Sequence, residues 1–153
     1  MFFSLLDNEQ PSFGGGVAVL PGGYPELFAN GLVSADRFAV SVRQPKAVVY
    51  AECGGCVCIS QRLVESFECW PVFGALELIS CWLALKLMVY KYCVLGFGRT
   101  NVFVGHEHRY LGELSKANQS HLYLVRAGLR LRLEGFGLHN TFSGYTHFAE
   151  LVF

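Results

Sequence analysis

Two stretches of the chain, residues 47–60 (AVVYAECGGCVCIS) and 121–134 (HLYLVRAGLRLRLE), share a length, an apolar alternation and a glycine at the same place. Aligned, Val48 meets Leu122, Tyr50 meets Leu124, Gly54 meets Gly128, Val57 meets Leu131 and Ile59 meets Leu133. Each stretch precedes a segment of helical character, so the pattern predicts a strand-turn-strand-helix unit used twice. A duplicated unit constrains the whole fold. The expected class is α+β: two tandem small antiparallel sheets, each packed with one helix. The N-terminal repeat would occupy residues 1–91, its first forty residues poorly defined, and the C-terminal repeat residues 92–153.

A chain of 153 residues holds one ordinary domain or two small ones, and 52% hydrophobic with 16% charged residues leaves much surface to bury. Such a composition excludes a disordered chain. Twelve Lys and Arg balance twelve Asp and Glu, which removes any long-range attraction to a polyanion. The halves differ a little: six basic residues face eight acidic ones up to Lys91, and six face four after it. The second half is the basic one.

Six cysteines, at 53, 56, 58, 69, 81 and 93, lie mostly among Val, Leu and Ile, where a free thiol behaves as a small hydrophobe. Cys53-Gly54-Gly55-Cys56 has the spacing of a zinc knuckle or redox pair. No second C-x-x-C or C-x-x-H follows to complete four ligands, and the Gly-Gly pair suits a tight hairpin turn, so structural thiols and no metal are expected.

The start, MFFSLLDNEQ, has a short apolar run, no basic leader and an early Asp7, unlike a secretory signal peptide. Residues 10–33 are rich in Gly and Pro around one short strand, Val17 to Leu20. Phe38, Val40 and Val42 alternate with Ala39, Ser41 and Arg43, which predicts a strand broken near Pro45. Val48 to Glu52 and Cys56 to Ser60 then form the first expected hairpin.

Gly74 to Val89 (GALELISCWLALKLMV) consists mostly of helix formers and is apolar nearly all round, which predicts one long helix buried in protein or in lipid. Val72 to Leu95 is long enough to span a hydrocarbon core, so a small membrane-anchored subunit of an organellar inner-membrane complex is the alternative reading. Glu77, Lys86 and Lys91 oppose it, since charges near a bilayer centre are costly. From Met88 the period changes to two, with Tyr90, Tyr92 and Val94 on one side, which predicts a strand.

That strand runs into Leu95-Gly96-Phe97-Gly98-Arg99. A second, Asn101 to Val104, runs into Gly105-His106-Glu107-His108-Arg109. Gly96 and Gly98 lack the third glycine of a dinucleotide loop. His106 and His108 share a face if extended, but two ligands do not make a metal site, and a polar turn is expected. Leu129, Leu131 and Leu133 alternate cleanly with Arg130, Arg132 and Glu134. Phe142, Tyr145, Ala149 and Val152 recur at helical intervals, which predicts a closing helix with His139-Asn140-Thr141 at its start.

The order of these pieces resembles protein six of the large ribosomal subunit, whose members contain two copies of a small antiparallel sheet with a helix. The resemblance rests on the hairpin at Val48 to Ile59, Gly74 opening a helix, Leu95-Gly96-Phe97-Gly98-Arg99, Gly105-His106-Glu107-His108, the turn Glu134-Gly135 and Ala149-Glu150-Leu151. It covers the chain from about Ala47 onward. The usual basic tail is absent and the charge is neutral, which would suit a mitochondrial member.

The resemblance implies a structural constituent of the large ribosomal subunit, not an enzyme, with no cofactor and no small-molecule substrate. It would bind large-subunit ribosomal RNA near the elongation-factor region and touch neighbouring ribosomal proteins. Arg99, His106, His108, Arg109 and Lys116 would be the loop contacts to RNA, with His139 and Asn140 at the start of the last helix. Catalysis has little visible support: Asp occurs only at 7 and 36, and the five histidines have no evident partner.

Overall fold

The computed structural model describes residues 2–11, 14, 16–44, 46–95, 101–116, 123–127, 130–138, 141–144 and 147–148. Its first sheet has four strands in the order β1-β2-β10-β9: β1 (Val17–Leu20), β2 (Val48–Glu52), β10 (Thr141–Gly144) and β9 (Phe136–Leu138). β1 and β10 both run parallel to β2, and only β9 is antiparallel, to β10. Parallel strands need crossovers that cover the sheet. Between β1 and β2 the chain supplies a 3-10 turn (Pro25–Phe28), α1 (Ala29–Val33) and α2 (Asp36–Val42). After β2 it forms α3 (Gly54–Ile59), which packs on β2, on the 3-10 turn and on β3 (Arg62–Glu65).

The second sheet is built on two long antiparallel strands, β5 (Leu78–Leu95) and β6 (Asn101–Lys116), paired from Leu78 opposite Lys116 to Leu95 opposite Asn101. The order is β11-β6-β5-β3-β4, with β3 (Arg62–Glu65), β4 (Glu68–Pro71) and β11 (His147–Phe148) completing the path. β7 (Tyr123–Ala127) joins β5 and forms a hairpin with β8 (Arg130–Glu134). The fold is therefore mixed α and β with two sheets and few helices.

The core lies where α2, α3 and the first sheet meet. Phe38 is fully buried, with its ring centroid 5.5 Å from that of Phe3 and 4.8 Å from that of Phe73. Val49, Ala51, Val57, Ile59, Leu63 and Leu76 surround this aromatic group in one buried cluster. Burying a side chain of this kind contributes about 1.5–3 kcal/mol each, which is what holds such short helices in place.

Several expected elements have a different form. The first expected hairpin is not one: β2 ends at Glu52, and Gly54 to Ile59 wind into α3. Every residue of α3 is buried. Cys56 and Cys58 are therefore as internal as Val57 and Ile59, and the alternation expected of a half-exposed strand is absent. The stretch 121–134 does contain the β7–β8 hairpin, so the two similar stretches adopt different structures. Phe38 to Val42 lies in α2, where Phe38, Ala39 and Val42 face inward and Val40 is 55% exposed. The long helix expected at Gly74 to Val89 is replaced by β5, a strand paired along much of its length. An apolar run without clear period suits a ladder strand as well as a buried helix, and tertiary pairing decides between them. Among the described residues no helix is long and apolar enough to cross a membrane. The closing helix is also absent where the chain is described, because Thr141–Gly144 and His147–Phe148 are strands. The expected division after residue 91 falls within β5.

Candidate active site at the Cys53 elbow

Three parallel strands of the first sheet, β1, β2 and β10, end on the same edge. Their ends carry Pro21-Gly22-Gly23, Cys53 and Gly144 respectively. The carboxyl edge of a parallel sheet is where crevices for ligands form. Cys53 sits in the step between β2 and α3 with φ 48° and ψ −112°, a left-handed conformation that costs a non-glycine residue of order 1–3 kcal/mol. Its N–H donates to the Gly144 carbonyl at 2.8 Å, and its own carbonyl accepts the N–H of Cys56 at 3.1 Å and of Val57 at 3.4 Å. The strained residue is thus held by the neighbouring strand on one side and by the first turn of α3 on the other.

The two glycines that follow make the turn possible. A Cβ on Gly54 would lie 2.4 Å from the Gly23 carbonyl oxygen, and one on Gly55 would lie 2.3 Å from that of Leu20. No side chain fits there. The Gly22-Gly23 loop is consequently pressed against the residue after Cys53. On its other side Gly23 faces open space, with no heavy atom within 4 Å of where its Cβ would be. An apolar cavity of about 640 Å³ adjoins this point, lined among others by Phe3, Leu20, Pro21, Gly54 and Gly55.

Strand, strained nucleophile-type residue, then helix is the geometry of a nucleophile elbow, in which the amide after the nucleophile and an amide from a neighbouring loop face the same oxygen. Cys53 is half-buried. Burial pushes its thiol above the ordinary value, the Gly54 amide pulls it back in part, and the charges of Glu52 and Glu26 add to the rise. A thiol held in its neutral form needs a base to act as a nucleophile. Cys58, deeper in α3, is pushed up to about 12, chiefly by burial.

The expectation that Cys53 is a structural thiol takes Gly54 and Gly55 for a hairpin turn, whereas they begin α3. The readable signal was Tyr50-Ala51-Glu52-Cys53-Gly54-Gly55, a strand running into a cysteine and two glycines, with Pro21-Gly22-Gly23 upstream. The residues expected to contact RNA lie elsewhere in the chain. His106, His108, Arg109 and Lys116 belong to β6, where His106 pairs with Tyr90 on one side and His147 on the other. Arg99, His139 and Asn140 lie outside the described residues. Among the described residues no three His, Cys, Asp or Glu side chains gather as a metal site.

Residues 2–151 match the CobB/CobQ-like glutamine amidotransferase domain. The hydrogenobyrinate a,c-diamide synthase of Brucella anthropi is 34% identical over 133 residues, covering 82% of this chain and 30% of the relative. That of Rhizobium meliloti is 30% identical over 164 residues, covering 97% of this chain and 37% of the relative. The chain therefore spans about a third of the length of these curated relatives. A crystal structure of a glutamine amidotransferase shares the fold, with a TM-score of 0.59 and 15% identity over 84% of this chain and 68% of that one.

These findings overturn the ribosomal resemblance, which rested on glycines at spacings that an unrelated fold also provides. With it go the structural role in a ribosome, the non-enzymatic reading, the partnership with ribosomal RNA and ribosomal proteins, and the mitochondrial location. The membrane-subunit alternative falls too, since its anchor segment is largely strand β5. The chain belongs to the CobB/CobQ-like glutamine amidotransferase domain family.

Proposed function

We propose that this chain carries the glutamine-hydrolysing part of an amide synthase, with Cys53 as its nucleophile. The observation that carries the reading is the Cys53 elbow itself: a left-handed cysteine between β2 and α3, with the Gly22-Gly23 backbone against Gly54. The thiolate attacks the side-chain amide carbon of glutamine and forms a tetrahedral oxyanion, which backbone amides at Gly54 and the Gly22-Gly23 loop stabilise. Collapse breaks the carbon–nitrogen bond, a proton passes to the departing nitrogen, and ammonia leaves. Water then hydrolyses the thioester to glutamate and regenerates the thiol.

The base is proposed to be His147. The Gly144 carbonyl is anchored to the Cys53 amide, and His147 follows three positions later, a reach of roughly 10 Å of extended chain. Neutral imidazole can accept the thiol proton as the sulfur attacks, its positive charge then stabilising the developing anion, and return it to the leaving nitrogen. Ammonia would pass to a carboxylate of an acceptor acid. The relatives are named for hydrogenobyrinate, and an acid of that kind, held by the remaining two thirds of such a polypeptide, is the proposed acceptor.

The test is release of glutamate and ammonia from glutamine by the full chain. Cys53→Ala is expected to lower the rate by at least about 1,000-fold, as removal of a covalent nucleophile does, with little change in thermal stability. Undiminished turnover in that variant would sink the assignment.

A further inference from the structure

The Gly22-Gly23 loop continues into the 3-10 turn, which packs against α3. The second residue of that turn, Glu26, presents an unusual group to the elbow. Its Oε2 is buried and has no hydrogen-bond partner among the described residues. A buried carboxylate oxygen ordinarily accepts at least one donor. Burial pushes the carboxyl above its usual value, its own backbone amide pulls it partly back, and Glu65 adds to the rise.

Among the described residues no cation offsets the Glu26 charge. β3 carries Arg62 and Glu65, of which only Glu65 acts on the Glu26 carboxyl; Cys53 precedes α3, Cys58 lies within it, and α1 has no titratable side chain. Trp70 and Asn30 line the same recess but are engaged with each other, the indole N–H donating to Asn30 Oδ1 at 3.2 Å. The lone carboxylate therefore has two unfavourable consequences. Its Oε2 is left without a donor, and its charge opposes ionisation of the Cys53 thiol. One event removes both: the arrival of a cation.

Glutamine supplies one. Its α-ammonium nitrogen lies roughly 5 Å from the side-chain amide carbon in an extended conformer. Gly23 is in contact with the residue after the nucleophile, and Glu26 is three positions further along the same loop. Resting on the glutaminase reading above, we propose that Glu26 recognises the α-ammonium group of the substrate while the amide is presented to Cys53. The pairing satisfies Oε2 and cancels the charge that disfavours the thiolate. An amide lacking the ammonium group would leave the carboxylate unpaired, and a site built around a buried polar group discriminates strongly against such an analogue.

Binding to the full chain carrying Cys53→Ala, measured by calorimetry, tests this with glutamine and with glutaramate, the same molecule without its amino group. Glutamine is expected to bind at least about tenfold more tightly, and Glu26→Gln, which keeps shape and removes charge, to erase that preference. In the chain with Cys53 intact, Glu26→Gln should also move the pH midpoint of Cys53 alkylation downward. A melting midpoint no lower than that of the parent would show that the variant is folded. Retained preference in Glu26→Gln overturns the role of Glu26 while leaving the glutaminase reading in place. Failure of both ligands to bind overturns both.

Discussion

Gly54 and Gly55 occupy the most crowded of the described glycine positions, and the crowding is against main chain, which cannot swing aside as a side-chain tip can. Gly31 offers the contrast, because a Cβ there would meet only the Cδ2 end of Leu6, at 2.9 Å. Gly54→Ala should therefore cost about 1–3 kcal/mol through overpacking, and it should displace the Gly22-Gly23 loop and with it the proposed oxyanion contacts. Gly16→Ala, where nothing lies within 4 Å of the added Cβ, is the matched control and should change stability little. Urea denaturation of the two variants separates them. Equal midpoints would mean that the elbow is not built on close backbone approach.

Among the helices, α2 shows how a short element is held by a distant residue. Ala35 stands at its N-cap and has no side-chain acceptor to offer the first turn. Asn8 does this work instead: its Oδ1 accepts the N–H of Arg37 at 2.9 Å and of Phe38 at 3.2 Å. Free amides at a helix start need such partners. Asn8→Ala should lower stability by about 0.5–2 kcal/mol, the usual cost of losing a cap, read as a fall in melting midpoint. An unchanged midpoint would show that water serves those amides equally well. No local pattern could have revealed this cap. Around residues 36–42 the sequence shows Phe38, Val40 and Val42 in apparent alternation, whereas the helix buries Phe38 and Val42 and leaves Val40 outside.

Over the whole molecule, the buried thiol of Cys58 couples stability to alkaline pH. Its value rises from 9.0 to about 12 in the folded chain, chiefly by burial. Below pH 9 the thiol is neutral in both states and its favourable burial is fully present. Above that, the unfolded chain releases the proton while the folded chain retains it, so stability falls as pH rises from 9 to about 12. The slope attributable to this group approaches about 1.4 kcal/mol per pH unit. Cys58→Ala should remove that component of the slope in denaturation curves taken across the same window. A slope equal to that of the parent would place the alkaline sensitivity elsewhere.

Some of this was present in the residues alone. Val17 to Leu20 and Val48 to Glu52 are strands as expected, and the alternating leucines after residue 129 lie in a hairpin strand, because each is short, regularly patterned and bounded by turn residues. The continuous apolar run at 54–59 was ambiguous by nature, since an element buried on every side has no period to read, and the run from Leu78 to Leu87 shows no clear alternation. The glycines after Cys53 read as a hairpin turn, and they begin α3 instead. What they are for was decided by partners far along the chain: the Gly23 and Leu20 backbones that exclude any Cβ, and the Gly144 carbonyl that anchors the Cys53 amide. Local sequence determines where a chain can bend. Only the tertiary structure brings three strand ends to one edge and makes that bend a place for chemistry, because the contacts concerned are between backbones that local patterns do not connect.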